Sequence, residues 1–213
     1  MKVKICGNTN LDDARAAADM GAWAIGLIHH PESPRYVEPE VAAEIAAALK
    51  RRCLIAGVFV DSTMDEIVRA ADEEQLTIVQ LHGDQGPQFC REVARRTGAK
   101  VIRAFRVRSG ADVRGAEAYR TDFHLFDAYR PQTPGGTGES FDWELLAGRR
   151  SEIPALLAGG LTPENAGEAI LAAKPWGVDV VSGVEAEPGR KDHRKLAAFF
   201  EAVRSTTESP ATP

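Results

Sequence analysis

Short apolar, β-branched runs alternate eight times with longer Ala-, Glu- and Arg-rich stretches of helical period, and this alternation restricts the possible folds more than any other feature of the chain. The runs fall at residues 3–6, 24–28, 54–60, 78–81, 101–105, 123–126, 155–158 and 178–181. The helical stretches fall at residues 11–20, 39–50, 64–74, 87–97, 111–118, 143–146, 163–172 and 192–204. Thr162-Pro163-Glu164 offers a Thr cap, a proline at the first helical position and an acid in the first turn, and Asp61-Ser62-Thr63 precedes the third helix in the same manner. Strands joined through helices must lie parallel with right-handed crossovers. Runs such as 54–60 and 178–181 are apolar almost throughout, as strands covered on both faces should be. An open doubly wound sheet and a closed barrel both satisfy this pattern. Eight units in about 200 residues sit at the lower size limit of the barrel, whereas an open sheet of that length usually carries fewer parallel strands. The expected fold is α/β, a single-domain (β/α)8 barrel of the TIM type over residues 1–204, followed by a disordered polar tail over residues 205–213.

Composition removes several functions. The 213 residues carry 26 Lys and Arg against 31 Asp and Glu, a formal charge of −5, and no basic run exceeds Lys50-Arg51-Arg52. A nucleic-acid partner is therefore not expected. Three widely spaced cysteines, Cys6, Cys53 and Cys90, make neither a disulfide framework nor a zinc site. No HExxH, paired CxxC or acidic triad points to a metal, and the expected metal and cofactor are none. MKVKICGN leaves no room for the apolar segment of a signal peptide, and no uncharged apolar stretch approaches the ~20 residues that span a bilayer. The expected setting is cytoplasmic, with no membrane partner.

In a barrel of this kind the active site lies at the C-terminal ends of the strands and in the loops after them. The polar residues there are Cys6-Gly7-Asn8, His29-His30 leading to Arg35, Asp61, His82-Gly83-Asp84, Arg106, Asp127, Gly159-Gly160 and Ser182-Gly183. Phosphate is the ligand that position alone suggests. The loops after the seventh and eighth strands, with Gly159, Gly160, Ser182 and Gly183, occupy the usual phosphate position, and glycine lets backbone N–H groups approach the oxygens. A third loop, Pro134-Gly135-Gly136-Thr137-Gly138, could add to it; the bland alternative is that all three merely turn the chain. Most free cysteines are small buried hydrophobes, which suits Cys53 and Cys90. Cys6 differs in standing at the barrel mouth before Gly7, and alternation puts Lys4 on its face of the strand, either as a partner for a thiolate or as half of a structural ion pair. Asp127 ends a strand of apolar residues, where it either caps the next turn or acts as an acid; His124, three residues back, faces the helices. Arg35 lies in the long Pro-rich second loop, either solvated or clamping a carboxylate or phosphate. His82, at the fourth strand end, is a candidate for substrate contact.

Six blocks, in order over residues 4–195, make the chain resemble the phosphoribosylanthranilate isomerase family of tryptophan biosynthesis. They are Lys4-Ile5-Cys6-Gly7; Gly26 to Arg35 with its Ser33-Pro34-Arg35 ending; Gly57-Val58-Phe59-Val60-Asp61; Val79-Gln80-Leu81-His82-Gly83; Gly135-Gly136-Thr137-Gly138 through Phe141-Asp142-Trp143; and Ala158-Gly159-Gly160-Leu161 with Asp179 through Glu185. The resemblance implies a cofactor-free Amadori rearrangement of N-(5-phosphoribosyl)anthranilate to 1-(2-carboxyphenylamino)-1-deoxyribulose 5-phosphate. It implies Cys6 as general base and Asp127 as general acid. Substrate contacts would come from Arg35, His82 and Asp179, with Arg35 on the anthranilate carboxylate. Gly159, Gly160, Ser182 and Gly183 would hold the phosphate. Members are monomers or homodimers. Two departures stand out: His29-His30, where the family more often has aromatic or small residues, and Glu139-Ser140 after the GGTG loop. The alternatives are the histidine-pathway aminoaldose isomerase, which has an aspartate where this chain has Cys6, indole-glycerol-phosphate synthase, which relies on strand-end lysines absent here, and a non-catalytic phosphate-binding barrel, which would need neither Cys6 nor Asp127.

Overall fold

In the computed structural model, which describes residues 1–128, 143–147 and 149–208, eight parallel strands close into one barrel in chain order. They are β1 (Lys2–Ile5), β2 (Ala24–Ile28), β3 (Leu54–Phe59), β4 (Ile78–Leu81), β5 (Lys100–Val107), β6 (Phe123–Ala128), β7 (Ala155–Ala158) and β8 (Gly177–Val180). The barrel closes through β1 and β8, where Lys4 stands in register with Asp179. The helices between and after them are α1 (Leu11–Asp19), α2 (Pro39–Leu49), α3 (Met64–Glu73), α4 (Pro87–Thr97), α5 (Gly110–Gly115), α6 (Glu144–Ala147), α7 (Ala166–Ala173) and α8 (His193–Glu208). Among the described residues no helix is long and apolar enough to cross a membrane.

Period-two alternation divides the apolar side chains into two cores. Ala24, Ala56, Ile78, Ile102, Leu125 and Leu156 fill the barrel, while Ile25, Ile55, Val79, Val101, Phe126, Leu157 and Val178 face the helices. Trp23, Phe123 and Trp176 cluster below the inner core with ring centroids 5.1–5.3 Å apart. With the N-terminal end packed by aromatic rings, polar side chains gather at the other end. His124 points outward, is fully buried beside Phe105 and Phe126, and has Nε2 3.3 Å from the Tyr119 carbonyl; burial pushes its pKa down to about 4.

Three local details differ from the sequence expectations. The cap of α7 is Asn165 rather than Thr162: Pro163 and Glu164 lie in a turn, and Asn165 both accepts from the Thr162 N–H at 2.8 Å and donates to the Gly160 carbonyl at 3.0 Å. By contrast, α3 starts at Thr63 with a reciprocal capping box to Glu66. Helix α8 continues through residues 205–208, where the sequence predicts a disordered tail, since Thr206 and Thr207 satisfy their hydroxyls on carbonyls one turn back; residues 209–213 lie outside the described residues. Finally, a short antiparallel hairpin, β9 (Glu185–Glu187) with β10 (Arg190–Lys191), interrupts the passage from β8 to α8. It is anchored to α1 by Asp13, which accepts from the Lys191 N–H at 2.9 Å and lies 2.8 Å from His193 Nε2.

Candidate active site

The residue that faces inward at the top of each strand is set by parity, and parity collects polar groups there. Cys6, Gln80, His82, Asp127 and Asp179 line a cavity of about 290 Å³, joined by Ser33 and Arg35 from the second loop and by Gly159, Gly160 and Ser182 from the seventh and eighth. Thus all but one of the residues nominated from the sequence meet in one chamber. Gly183 stands just outside its wall.

Cys6 follows the last residue of β1, its N–H donating to the Val180 carbonyl at 3.0 Å. Its thiol is buried, and burial pushes its pKa up, with the ammonium of Lys4 pulling in the opposite direction. Lys4 is itself completely buried, its Nζ 3.0 Å from Asp179 Oδ1. Burial disfavours its charge, but Asp179 and Cys6 outweigh that and hold it protonated. Lys4 therefore combines both roles that the sequence left open, as the structural partner of Asp179 and the cation beside Cys6. Both groups crowd Gly26 on β2, where a Cβ would stand 2.5 Å from the sulfur and 2.9 Å from Lys4 Nζ.

Asp127 lies inside β6, half-buried, with Oδ2 3.2 Å from His82 Nε2. Gln80 stands two residues before His82 on the same face, its Nε2 3.1 Å from His82 Nδ1. With the amide donating to Nδ1, Nε2 carries the ring proton and donates to Asp127. Gln80 is not among the residues the sequence singles out; the signal for it is its period-two spacing from His82.

The second loop folds back after β2, with Tyr36 bridged to Ile28 and the Val37 N–H donating to the Ile28 carbonyl at 3.1 Å. This return carries Arg35 over Gly7, whose backbone is left-handed at φ 72° and where a Cβ would meet Arg35 Cδ at 2.9 Å. Arg35 is not a solvated loop arginine. Its Nε and Nη2 grip Glu185 of β9, with Nη2–Oε2 at 2.7 Å. Burial opposes charge on Glu185, yet Arg35 and Lys191 hold its carboxyl below the usual range. The sequence alone gives neither Glu185 nor Lys191 a role, because no periodic pattern marks this hairpin as part of the barrel mouth.

The two phosphate-candidate loops abut. Gly159 and Gly160 take φ of 88° and 67°, a region glycine enters without strain. Gly183 has no room for a side chain, since a Cβ there would lie 1.9 Å from the Leu161 carbonyl oxygen. Its part is to let the eighth loop seat directly on the seventh. The GGTG loop and Glu139-Ser140 lie outside the described residues.

Other polar strand-end residues go elsewhere. Arg106 joins Arg103 and Arg108 along a neighbouring cleft of about 530 Å³, which shares His82 with the chamber but holds neither Cys6 nor Asp127. His29 turns outward, stacked on Phe59 with centroids 4.9 Å apart and Nε2 3.1 Å from Glu74 Oε2; together with His30 and Asp61 it lines a cleft on the helix side of β2 and β3. The unusual His29-His30 pair therefore lies off the chamber, whose wall at this point is Ile28. Cys53 and Cys90 are buried free thiols, as small hydrophobes would be. Among the described residues, no group of three or more His, Cys, Asp or Glu is arranged to hold a metal ion.

Known proteins share this sequence and fold. The family model of N-(5′-phosphoribosyl)anthranilate (PRA) isomerase matches residues 3–202. The N-(5′-phosphoribosyl)anthranilate isomerase of Geobacter sp. (strain M21) is 45% identical over 198 residues, covering 93% of this chain and 95% of the relative. The crystal structure of phosphoribosyl anthranilate isomerase from Thermotoga maritima superposes with a TM-score of 0.89 at 41% identity, over 96% of this chain and 99% of that one. A phosphoribosyl anthranilate isomerase solved in complex with reduced 1-(o-carboxyphenylamino)-1-deoxyribulose 5-phosphate superposes at 0.86 with 38% identity, again over 96% and 99%. With the barrel fold, the family match over residues 3–202 and near-complete coverage in agreement, this chain belongs to the N-(5′-phosphoribosyl)anthranilate isomerase family.

Proposed function

We propose that the barrel isomerises N-(5′-phosphoribosyl)anthranilate by acid–base catalysis, with Asp127 as the acid and Cys6 as the base, as a cytoplasmic enzyme acting as a monomer or homodimer. The observation that carries this reading is the convergence of Cys6, Asp127 and both glycine loops on one chamber that also holds an arginine. The substrate is an anion at both ends, and the chamber has a cationic side at Arg35 and a glycine-lined side at Gly159 and Gly160.

With the phosphate against Gly159, Gly160, Ser182 and the neighbouring Gly183 turn, and the anthranilate carboxylate against Arg35, the ribose lies between them. Asp127 donates a proton to the furanose ring oxygen, the C1–O bond breaks, and the nitrogen lone pair forms a Schiff base at C1. Cys6, as thiolate, removes the proton from C2, and the electron pair moves to give the enolamine. Tautomerisation of the enolamine leaves the ketone at C2 and the amine at C1. His82, donating to Asp127 Oδ2, holds the carboxyl in place, and Asp127 regains its proton from solvent once the product leaves. Asp179 acts through Lys4, keeping that cation next to Cys6 where it favours the thiolate. Each well-placed acid or base contributes roughly 10²–10⁴-fold.

The test is fluorimetric: generate phosphoribosylanthranilate from anthranilate and follow the loss of its fluorescence on adding the protein. Acceleration over the spontaneous background supports the assignment, and an unchanged background rate contradicts it.

A further inference from the structure

The β9–β10 hairpin stands outside the strand–helix repeat, yet it turns two charged side chains into the barrel mouth: Glu185 is 3% exposed and Lys191 fully buried. The Glu185 carboxylate accepts from Arg35 Nε at 2.9 and 3.0 Å and from Arg35 Nη2 at 2.7 Å. It also accepts from Lys191 Nζ at 3.2 Å and from the Gly189 N–H at 3.3 Å. Lys191 Nζ donates in turn to the Cys6 carbonyl at 2.6 Å and reaches the Val181 carbonyl at 3.5 Å.

Two consequences follow from this geometry. A guanidinium binds planar anions along two edges, and Glu185 occupies the Nε–Nη2 edge. Nη1 has no hydrogen-bond partner among the described residues, so the Nη1–Nη2 edge remains for a second carboxylate while the first holds the plane still. Charge matters equally. Arg35 and Glu185 alone would be a neutral pair with little pull on an anion, but with Lys191 protonated two cations share one carboxylate, and the cluster at the chamber wall keeps a formal charge of +1.

We propose that Glu185 and Lys191 are positioning residues for substrate carboxylate recognition. Glu185 orients the free edge of Arg35, and Lys191 keeps the cluster cationic and ties it to the backbone of Cys6. The inference rests on Arg35 being the carboxylate ligand. The competing account is a closed structural pair that only pins the hairpin to the second loop.

The two accounts part on ligand chemistry. Calorimetric affinities are measured for reduced 1-(o-carboxyphenylamino)-1-deoxyribulose 5-phosphate and for the same compound without its carboxyl, on wild type, Arg35→Ala, Glu185→Gln, Lys191→Met and the Arg35→Ala/Glu185→Gln double variant. Wild type should prefer the carboxylated ligand. Glu185→Gln and Lys191→Met should each shrink that preference on the order of tenfold while leaving the other ligand within about twofold. Arg35→Ala should abolish the preference, and Glu185→Gln should remove nothing further in that background. Equal weakening of both ligands by Glu185→Gln, or no weakening of either, overturns the inference while leaving Arg35 as a ligand. A preference that survives Arg35→Ala overturns the Arg35 assignment and the inference with it. If Glu185→Gln does not fold, Glu185→Asp carries the same prediction, because the shortened arm keeps the charge but releases the guanidinium plane.

Discussion

Gly26 and Cys6 face each other across β1 and β2 so closely that a Cβ on the glycine would stand 2.5 Å from the sulfur and 3.0 Å from the Cys6 Cα. The absence of a side chain at one position is what leaves room for the proposed base at the other. Gly26→Ala should therefore displace the thiol, because the backbone of Cys6 cannot yield as a flexible side chain would. The expected cost is about 1–3 kcal/mol of stability and a kcat loss of at least about tenfold. Denaturant titration and single-turnover kinetics check the two separately; a variant that melts lower but turns over normally removes the steric link to catalysis.

The proposed base is a buried thiol held above its ordinary pKa by desolvation, with Lys4 pulling the other way. A raised pKa means that thiolate is scarce at neutral pH and grows as pH rises. Between pH 7 and 9, kcat/KM, which reports the free enzyme, should therefore climb with pH, and Lys4→Gln should push the rise to still higher pH. A flat profile over this interval would contradict the protonation state assigned to Cys6. Removing Lys4 also strands Asp179 in the barrel, so a loss of about 3–5 kcal/mol is expected unless Asp179→Asn accompanies it.

His124 links folding to pH from the helix side of β6, outside the chamber. Its pKa is about 4 in the fold against an ordinary 6.5, because burial disfavours the charged ring. The unfolded chain takes up this proton below pH 6.5 and the native state does not until about pH 4. Stability from the neutral ring is thus fully present above pH 6.5 and is lost as the pH falls through that window, by up to about 3 kcal/mol. Urea midpoints for wild type and His124→Gln should converge towards pH 4; parallel curves would rule out this linkage.

Gly183→Ala should force the eighth loop away from Leu161, where the new Cβ would otherwise lie 1.9 Å from the carbonyl oxygen. If those loops hold the phosphate, KM should rise about tenfold or more and competitive inhibition by inorganic phosphate should weaken in parallel. A variant that folds and keeps its phosphate affinity would detach the two loops from that role.

The sequence and the structure agree most closely where a single period decides the outcome. Strands 24–28, 78–81 and 155–158 match residue for residue, and the parity that fills the barrel with Ala24, Ile78 and Leu156 also aims Cys6 and Asp127 into the chamber. Disagreement lies where tertiary contacts override local rules. Thr162-Pro163 has the composition of a helix start, but the turn is held instead by Asn165 reaching to Gly160. Glu185 and Lys191 come from a seven-residue hairpin with no periodicity, and their meaning depends on Arg35, 150 positions from Glu185. A loop arginine's partner at such separation has no local signal. His29 shows the same limit, since only the packing of α3 reveals that it answers to Glu74 and not to the chamber.

The division of labour between Cys6 and Asp127 is tested most directly by single-turnover loss of phosphoribosylanthranilate fluorescence, with enzyme in excess so that product release cannot mask the chemistry. Cys6→Ser and Asp127→Asn should each slow the step at least about 100-fold while both remain folded. A single-turnover rate near that of wild type in either variant would contradict the role assigned to that residue.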